Sequence, residues 1–146
     1  MKALIQRVRF ARVEVAGEII ADIGQGLLVL VGIDKGDEID RVEKLAHKLL
    51  HYRVFADADG RMNLNVQEIE GELLLVSQFT LSADTQKGLR PSFTSAAPPS
   101  DGERIFNALV DDVRQRYPRV QTGRFGADMQ IELLNDGPVT FLLDVH

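Results

Sequence analysis

Ser77, Gln78, Phe79, Thr80 and Leu81 close a continuous apolar run and open into a stretch rich in Ser, Thr, Ala and Pro. Hydroxyls and a carboxamide at a strand end, facing irregular chain, are a common placement for binding and catalysis, since the rigid element aims them into open space. The same residues also suit plain strand alternation with Phe79 in the core. A second segment, Asn135-Asp136-Gly137-Pro138-Val139-Thr140, carries turn chemistry and reads by itself as a hairpin turn. Only about 5–6% of X-Pro bonds in folded proteins are cis, so the trans form is the default for Gly137-Pro138.

Other chemistries lack their parts. There is no Gly-x-Ser-x-Gly elbow and no Walker A loop, and Gly24-x-Gly26 lacks both a third glycine and a following helix. The chain has no cysteine, which excludes disulfides, thiolate nucleophiles and Cys-based zinc sites. Glu43, His47 and His51 recur every fourth residue, but the apolar stripe of their segment centres near Ala46 and Leu49. At 100° per residue the two histidines point away from the core, as on a solvated face. His146 is the last residue. Asp57 and Asp59 share a turn that does not continue as an EF-hand loop, and Asp111 and Asp112 lie on the polar side of a helix. No histidine or carboxylate is therefore placed as a general base, and neither metal nor cofactor is expected.

The chain has 146 residues, 45% of them hydrophobic, and a net charge of −5. That length suits one domain, 1–146, with a core large enough to need no staples. The pI near 5.2 argues against a protein that grips many phosphates at once, so any RNA contact should be a small basic patch. Residues 1–15 scatter Lys2, Arg7, Arg9 and Arg12 among apolar positions, unlike a signal peptide. The longest apolar run, 27–31, is far too short to span a bilayer. The absence of cysteine fits a reducing cytoplasm.

The elements that must position the two segments follow from periodicity. Residues 3–10 and 12–16 read as strands, with turns at Gly17 and at Gly24-Gln25-Gly26, and 27–33 as a buried strand. A helix is expected over 37–52, capped by Asp37. The strand over 72–81 has Leu73, Leu74, Leu75 and Val76 in succession and should be covered on both faces. Residues 82–99 form a long loop of the kind that is often functional. A second helix should begin with a capping box from Ser100 and Glu103 and stop at Pro118. Two strands, 129–134 and 139–145, close the chain. The order predicts a two-layer α+β domain with a mixed or antiparallel sheet, barrel-like closure and two main helices.

Ser77-Gln78-Phe79-Thr80-Leu81 and Asn135-Asp136-Gly137-Pro138-Val139-Thr140, taken together and in this order, resemble the paired signatures of the D-aminoacyl-tRNA deacylase family. The resemblance runs through Gln6-Arg7-Val8, Tyr52-Arg53-Val54-Phe55, Gly60-Arg61-Met62-Asn63 and Thr122-Gly123-x-Phe125-Gly126-Ala127-x-Met129, and so covers essentially the whole chain. It implies a hydrolase that removes D-amino acids from tRNA, a form of chiral proofreading in translation. Ser77, Gln78, Phe79 and Thr80 would line the pocket for the aminoacylated 3′ end of tRNA. A cis Gly137-Pro138 pair would reach across a homodimer into the partner's pocket, with Arg7 holding that turn and Met129 near the site. An L side chain would clash with the Gly137 and Pro138 carbonyls, whereas D-amino acids and glycine would enter, including glycine mischarged on tRNA-Ala. Backbone N–H groups near Phe79 and Thr80 and the substrate's ribose 2′-OH would carry the chemistry. Thr80 is the nearby hydroxyl, with no base in sight to activate it. Lys87 and Arg90 are the candidates for RNA contact. Two other classes compete: a small-molecule esterase or amidase, whose nucleophile and base are missing, and a non-enzymatic dimer that binds RNA ends or nucleotides.

Overall fold

The computed structural model describes residues 1–146. Its strands are β1 (Lys2–Val15), β2 (Glu18–Ile23), β3 (Gly26–Gly32), β4 (Phe55–Ala56), β5 (Met62–Leu64), β6 (Glu72–Ser77), β7 (Val120–Thr122) and β8 (Gln130–Asp144). Helix α1 (Ile39–His51) precedes β4, and α2 (Pro99–Arg116) precedes β7. A single 3₁₀ turn, Phe79–Ser82, follows β6.

Strand β1 organises the sheet. One of its edges pairs antiparallel with β3 over residues 2–8 and with β2 over residues 11–15, and β8 runs antiparallel along its other edge. Beyond β3 the sheet turns parallel through β6 and β7, giving the order β2-β1-β3-β6-β7. The sheet curls until β2 faces β7. No strand ladder seals that seam. The Gln121 carboxamide bridges it, accepting from the Asp22 N–H (2.8 Å) and donating to the Asp22 carbonyl (2.8 Å). The expected α+β architecture with barrel-like closure is therefore present, with two helices and an open seam.

Period-two alternation sorts the core into two layers. Leu27, Val29, Val31, Leu73 and Leu75 face α1 and α2, whereas Leu28, Leu74 and Val76 face the inside of the curl with Val8, Ala11, Val13 and Ile23. This is why residues 73–76 are continuously apolar: both faces are covered.

Four local expectations need correction. Gly24-Gln25-Gly26 is a kink, not a reversal, because β2 and β3 continue in one direction along β1 (Ala11 opposite Ile23, Val8 opposite Gly26). A β-carbon on Gly26 would lie 1.8 Å from the Glu72 carbonyl oxygen, so only glycine allows β6 to start there. The second segment is likewise no hairpin, as both halves of β8 pair with β1 in the same sense. Asp37 does not cap α1. Glu38 holds that position without a side-chain bond, and the buried Asp37 carboxylate instead accepts from the Asp34 N–H (2.7 Å), the Met1 ammonium and Arg41. Ser100 and Glu103 form no capping box, because α2 already starts at Pro99, whose fixed φ suits the first helical position.

Candidate active site

The parallel strands β3 and β6 end side by side, and chain leaving such carboxyl ends commonly borders a binding crevice. Here it borders a cavity of about 670 Å³, within the usual range for small-molecule sites. Val31 and Ile33 come from the end of β3, Val76, Ser77, Gln78 and Phe79 from the end of β6, and Pro98, Pro99 and Gly102 from the start of α2. The segment before β8 adds Phe125 to Met129. The loop over 93–97 makes the remaining wall and is zipped onto the chain after β3: the Lys35 N–H donates to the Ser95 carbonyl (2.8 Å) and the Ala97 N–H to the Ile33 carbonyl (3.0 Å).

Gly32 allows the 3₁₀ turn to pack closely behind this wall, since a β-carbon there would lie 2.9 Å from both Leu81 Cβ and Ser82 Oγ. Phe79 is not in the core. It is 60% exposed and packs against Phe93 with ring centroids 5.1 Å apart, so the two rings edge the cavity mouth. Thr80 is exposed, lies outside the cavity lining, and its hydroxyl accepts from the Gln78 carboxamide. The hydroxyls on the lining belong to Ser77 and Thr94. The amides of Phe79 and Thr80 head the 3₁₀ turn, where they have no partner within it. The lining includes no histidine; Lys35 and Asp128 are its charged residues.

The second segment is built as a bulge. Between the pairs Gln6–Thr140 and Val8–Asn135, β1 spends one residue, Arg7, where β8 spends four, Asp136 to Val139. Asn135 closes the base of this bulge: its carboxamide accepts from the Val139 N–H (2.7 Å) and donates to Thr140 Oγ1 (2.9 Å). Arg7 fills the space behind, donating from Nε to the Asp136 carbonyl (2.8 Å) and from Nη1 to the Val54 carbonyl (2.7 Å). The Gly137-Pro138 peptide is cis. Gly137 has φ of +143°, and a β-carbon there would lie 2.7 Å from Val139 Cγ2 and 3.1 Å from Arg7 Nη2.

These parts do not all meet in one chain. Ser77, Gln78, Phe79 and Met129 share the cavity, whereas Arg7, Gly137 and Pro138 are not among its lining residues. Gly137 and Pro138 stand exposed. Lys87 and Arg90 are exposed in the long loop, also off the lining. Sequence reasoning missed Lys35, Phe93, Thr94 and Asp128. Nothing local marks the first three, which meet through the crossing of two loops, whereas Asp128 lies in the segment before β8, at the open position between Ala127 and Met129.

The family model described as D-Tyr-tRNA(Tyr) deacylase matches residues 4–144. The chain belongs to that family. Over 144 residues it is 62% identical to a D-aminoacyl-tRNA deacylase of Stutzerimonas stutzeri (strain A1501), covering 99% of each chain. It is 61% identical over 144 residues to the enzyme of that name in Pseudomonas aeruginosa (strain LESB58), again covering 99% of each. Among solved structures it superposes on the c-Myc DNA Unwinding Element Binding Protein with a TM-score of 0.95 at 41% identity, covering 99% of this chain and 98% of that one. A probable eukaryotic D-amino acid tRNA deacylase superposes with a TM-score of 0.88 at 16% identity, covering 97% of each chain, and shares the fold.

Proposed function

We propose that this chain is a D-aminoacyl-tRNA deacylase, a carboxylic ester hydrolase that releases a free D-amino acid and tRNA. Water adds to the ester carbonyl carbon, the carbonyl–ribose oxygen bond breaks, and the ribose oxygen leaves with a proton. The observation that carries this reading is a cavity edged by Ser77, Gln78 and Phe79 and lacking a histidine base, in a chain of this family. An aminoacyl ester is already activated, so it can be cleaved without a side-chain triad. The Phe79 and Thr80 amides are suited to hold the developing oxyanion, and the neighbouring ribose 2′-OH orients or activates the water.

Chirality is read by exclusion. The exposed Gly137-Pro138 bulge lies off the cavity of its own chain, so it serves a partner's cavity in a homodimer. Exposed Leu134, Phe141 and Leu142 on β8 provide apolar surface for that contact. Backbone carbonyls at the bulge bar an L side chain and leave room for D-aminoacyl and glycyl esters, including glycine mischarged on tRNA-Ala. A cytoplasmic site of action follows from this substrate.

The test is deacylation of matched D-tyrosyl-, L-tyrosyl- and glycyl-tRNA by the purified protein. Loss of the D and glycyl esters with the L ester spared is expected. Equal loss of D and L would mean an unselective esterase, and intact esters throughout would leave a nucleic-acid binder.

A further inference from the structure

Next to the main cavity lies a second, polar one of about 240 Å³. It is lined by residues 34–38, by Ala97 and Pro98, and by Asp101 and Arg104 in the first turns of α2. The two cavities share Lys35, Ala97 and Pro98, so the polar one is an annex opening off the apolar one.

The annex looks acidic by residue type, but its carboxylates are largely occupied. Asp34 takes Lys2 (2.9 Å) and the Met1 ammonium (3.0 Å). Asp37 takes the same ammonium (2.9 Å) and Arg41. Asp101 pairs with Arg104 (3.8 Å). Lys35, by contrast, has no carboxylate within 4.0 Å. It is an unpaired cation on the lining that the two cavities share. Its geometry is firm. The Lys35 backbone is held to Ser95, and Asp34 makes a β-bridge with Ala96. The positive end of the α2 macrodipole adds to the field there.

We propose that Lys35 and the annex hold the phosphodiester that leads into the terminal nucleoside of the substrate, with Lys35 as its charge partner. The inference rests on the deacylase reading, which places the ester in the apolar cavity. The nucleic-acid strand must then leave past the rim, and Lys35 is the only basic residue that lines the cavity it leaves. An ammonium on a flexible stem suits a phosphate whose exact placement varies.

The experiment compares two minimal substrates: adenosine carrying a 3′-D-tyrosyl ester, and the same compound with a 5′-phosphate. Lys35→Met should raise KM for the phosphorylated ester on the order of tenfold, the size of one charge-assisted contact, with kcat unchanged. The loss on the phosphorylated ester should exceed that on the unphosphorylated ester by about the same factor, and Lys35→Arg should restore most of the difference. On full D-tyrosyl-tRNA, Lys35→Met should flatten the dependence of log(kcat/KM) on log salt by roughly 0.7–0.9. Equal losses on both small esters, or no loss on either, would overturn the phosphate role while leaving the deacylase reading intact. Failure of the wild-type protein to cleave any of the three esters would remove both.

Discussion

At the scale of single residues, the candidate site separates groups that touch the cavity from groups that shape it. Thr80 is off the lining and its hydroxyl is engaged by Gln78. Thr80→Ala should therefore keep kcat within a few-fold of wild type in single-turnover deacylation; near-complete loss with the fold intact would return the chemistry to the hydroxyl. Arg7 acts at a distance. Its two bonds diverge to Asp136 and Val54 and fix the bulge from behind. A lysine ammonium cannot reproduce that planar fork, so Arg7→Lys should lower stability by about 1–2 kcal/mol, read from denaturant midpoints. The loosened bulge should also narrow the D-over-L rate ratio, and an unchanged ratio would show that the bulge does not read chirality. The signatures at Ser77 and Gly137 could be read in the sequence because each is a contiguous run. Lys35 and Thr94 could not, because only tertiary contact between residues 33–35 and 93–97 brings them together.

At the scale of elements, the helices and buried strands were legible from periodicity, and the fold class followed from their order. The two misread turns share one physical cause. Gly24-Gln25-Gly26 and Asn135-Asp136-Gly137-Pro138 have reversing chemistry, yet both interrupt chain that keeps running along β1, as a kink and as a four-residue bulge. Local sequence reports that a strand breaks; the pairing partner decides whether the chain turns back. The failed cap at Asp37 has a related origin. Its carboxylate is drawn to the Met1 ammonium and the Asp34 amide, tying the start of β1 to the entry of α1. Asp37→Ala would leave that buried ammonium with one carboxylate and should cost about 3–5 kcal/mol in chemical unfolding. The neighbouring Asp34 adds a pH signature. Burial opposes its charge, but the surrounding donors, Lys2 and the Met1 ammonium among them, outweigh it and hold its carboxyl below the usual 3.8. Such a group stabilises the fold fully above its unfolded pKa, and the contribution is lost as pH falls through the lower folded value. Asp34→Asn should therefore flatten the fall in thermal stability below about pH 4, while leaving the profile above pH 6 parallel to wild type.

At the scale of the whole molecule, the cavity and the Gly137-Pro138 bulge belong to one chain yet do not meet within it. A two-fold dimer resolves this if each chain lends its bulge to the other's cavity, since an isologous interface repeats every contact twice. Paired defects test the arrangement. Ala127→Trp fills the cavity but leaves the bulge. Gly137→Ala distorts the bulge, where its β-carbon meets Val139 and Arg7, but leaves the cavity. Each variant alone should be nearly inactive towards D-tyrosyl-tRNA, the first because its cavity is filled and the second because a bulge pushed off Val139 and Arg7 obstructs entry of the substrate. A heterodimer of the two, isolated through different affinity tags, then contains one site with both defects and one site with neither. It should recover about half of the wild-type activity per dimer. If each site were instead complete within its own chain, every site in the heterodimer would carry one defect, and it would be as inactive as its parents. Separation of the tagged chains during purification would show that no stable dimer forms, and chiral selection would then have to come from residues already facing the cavity.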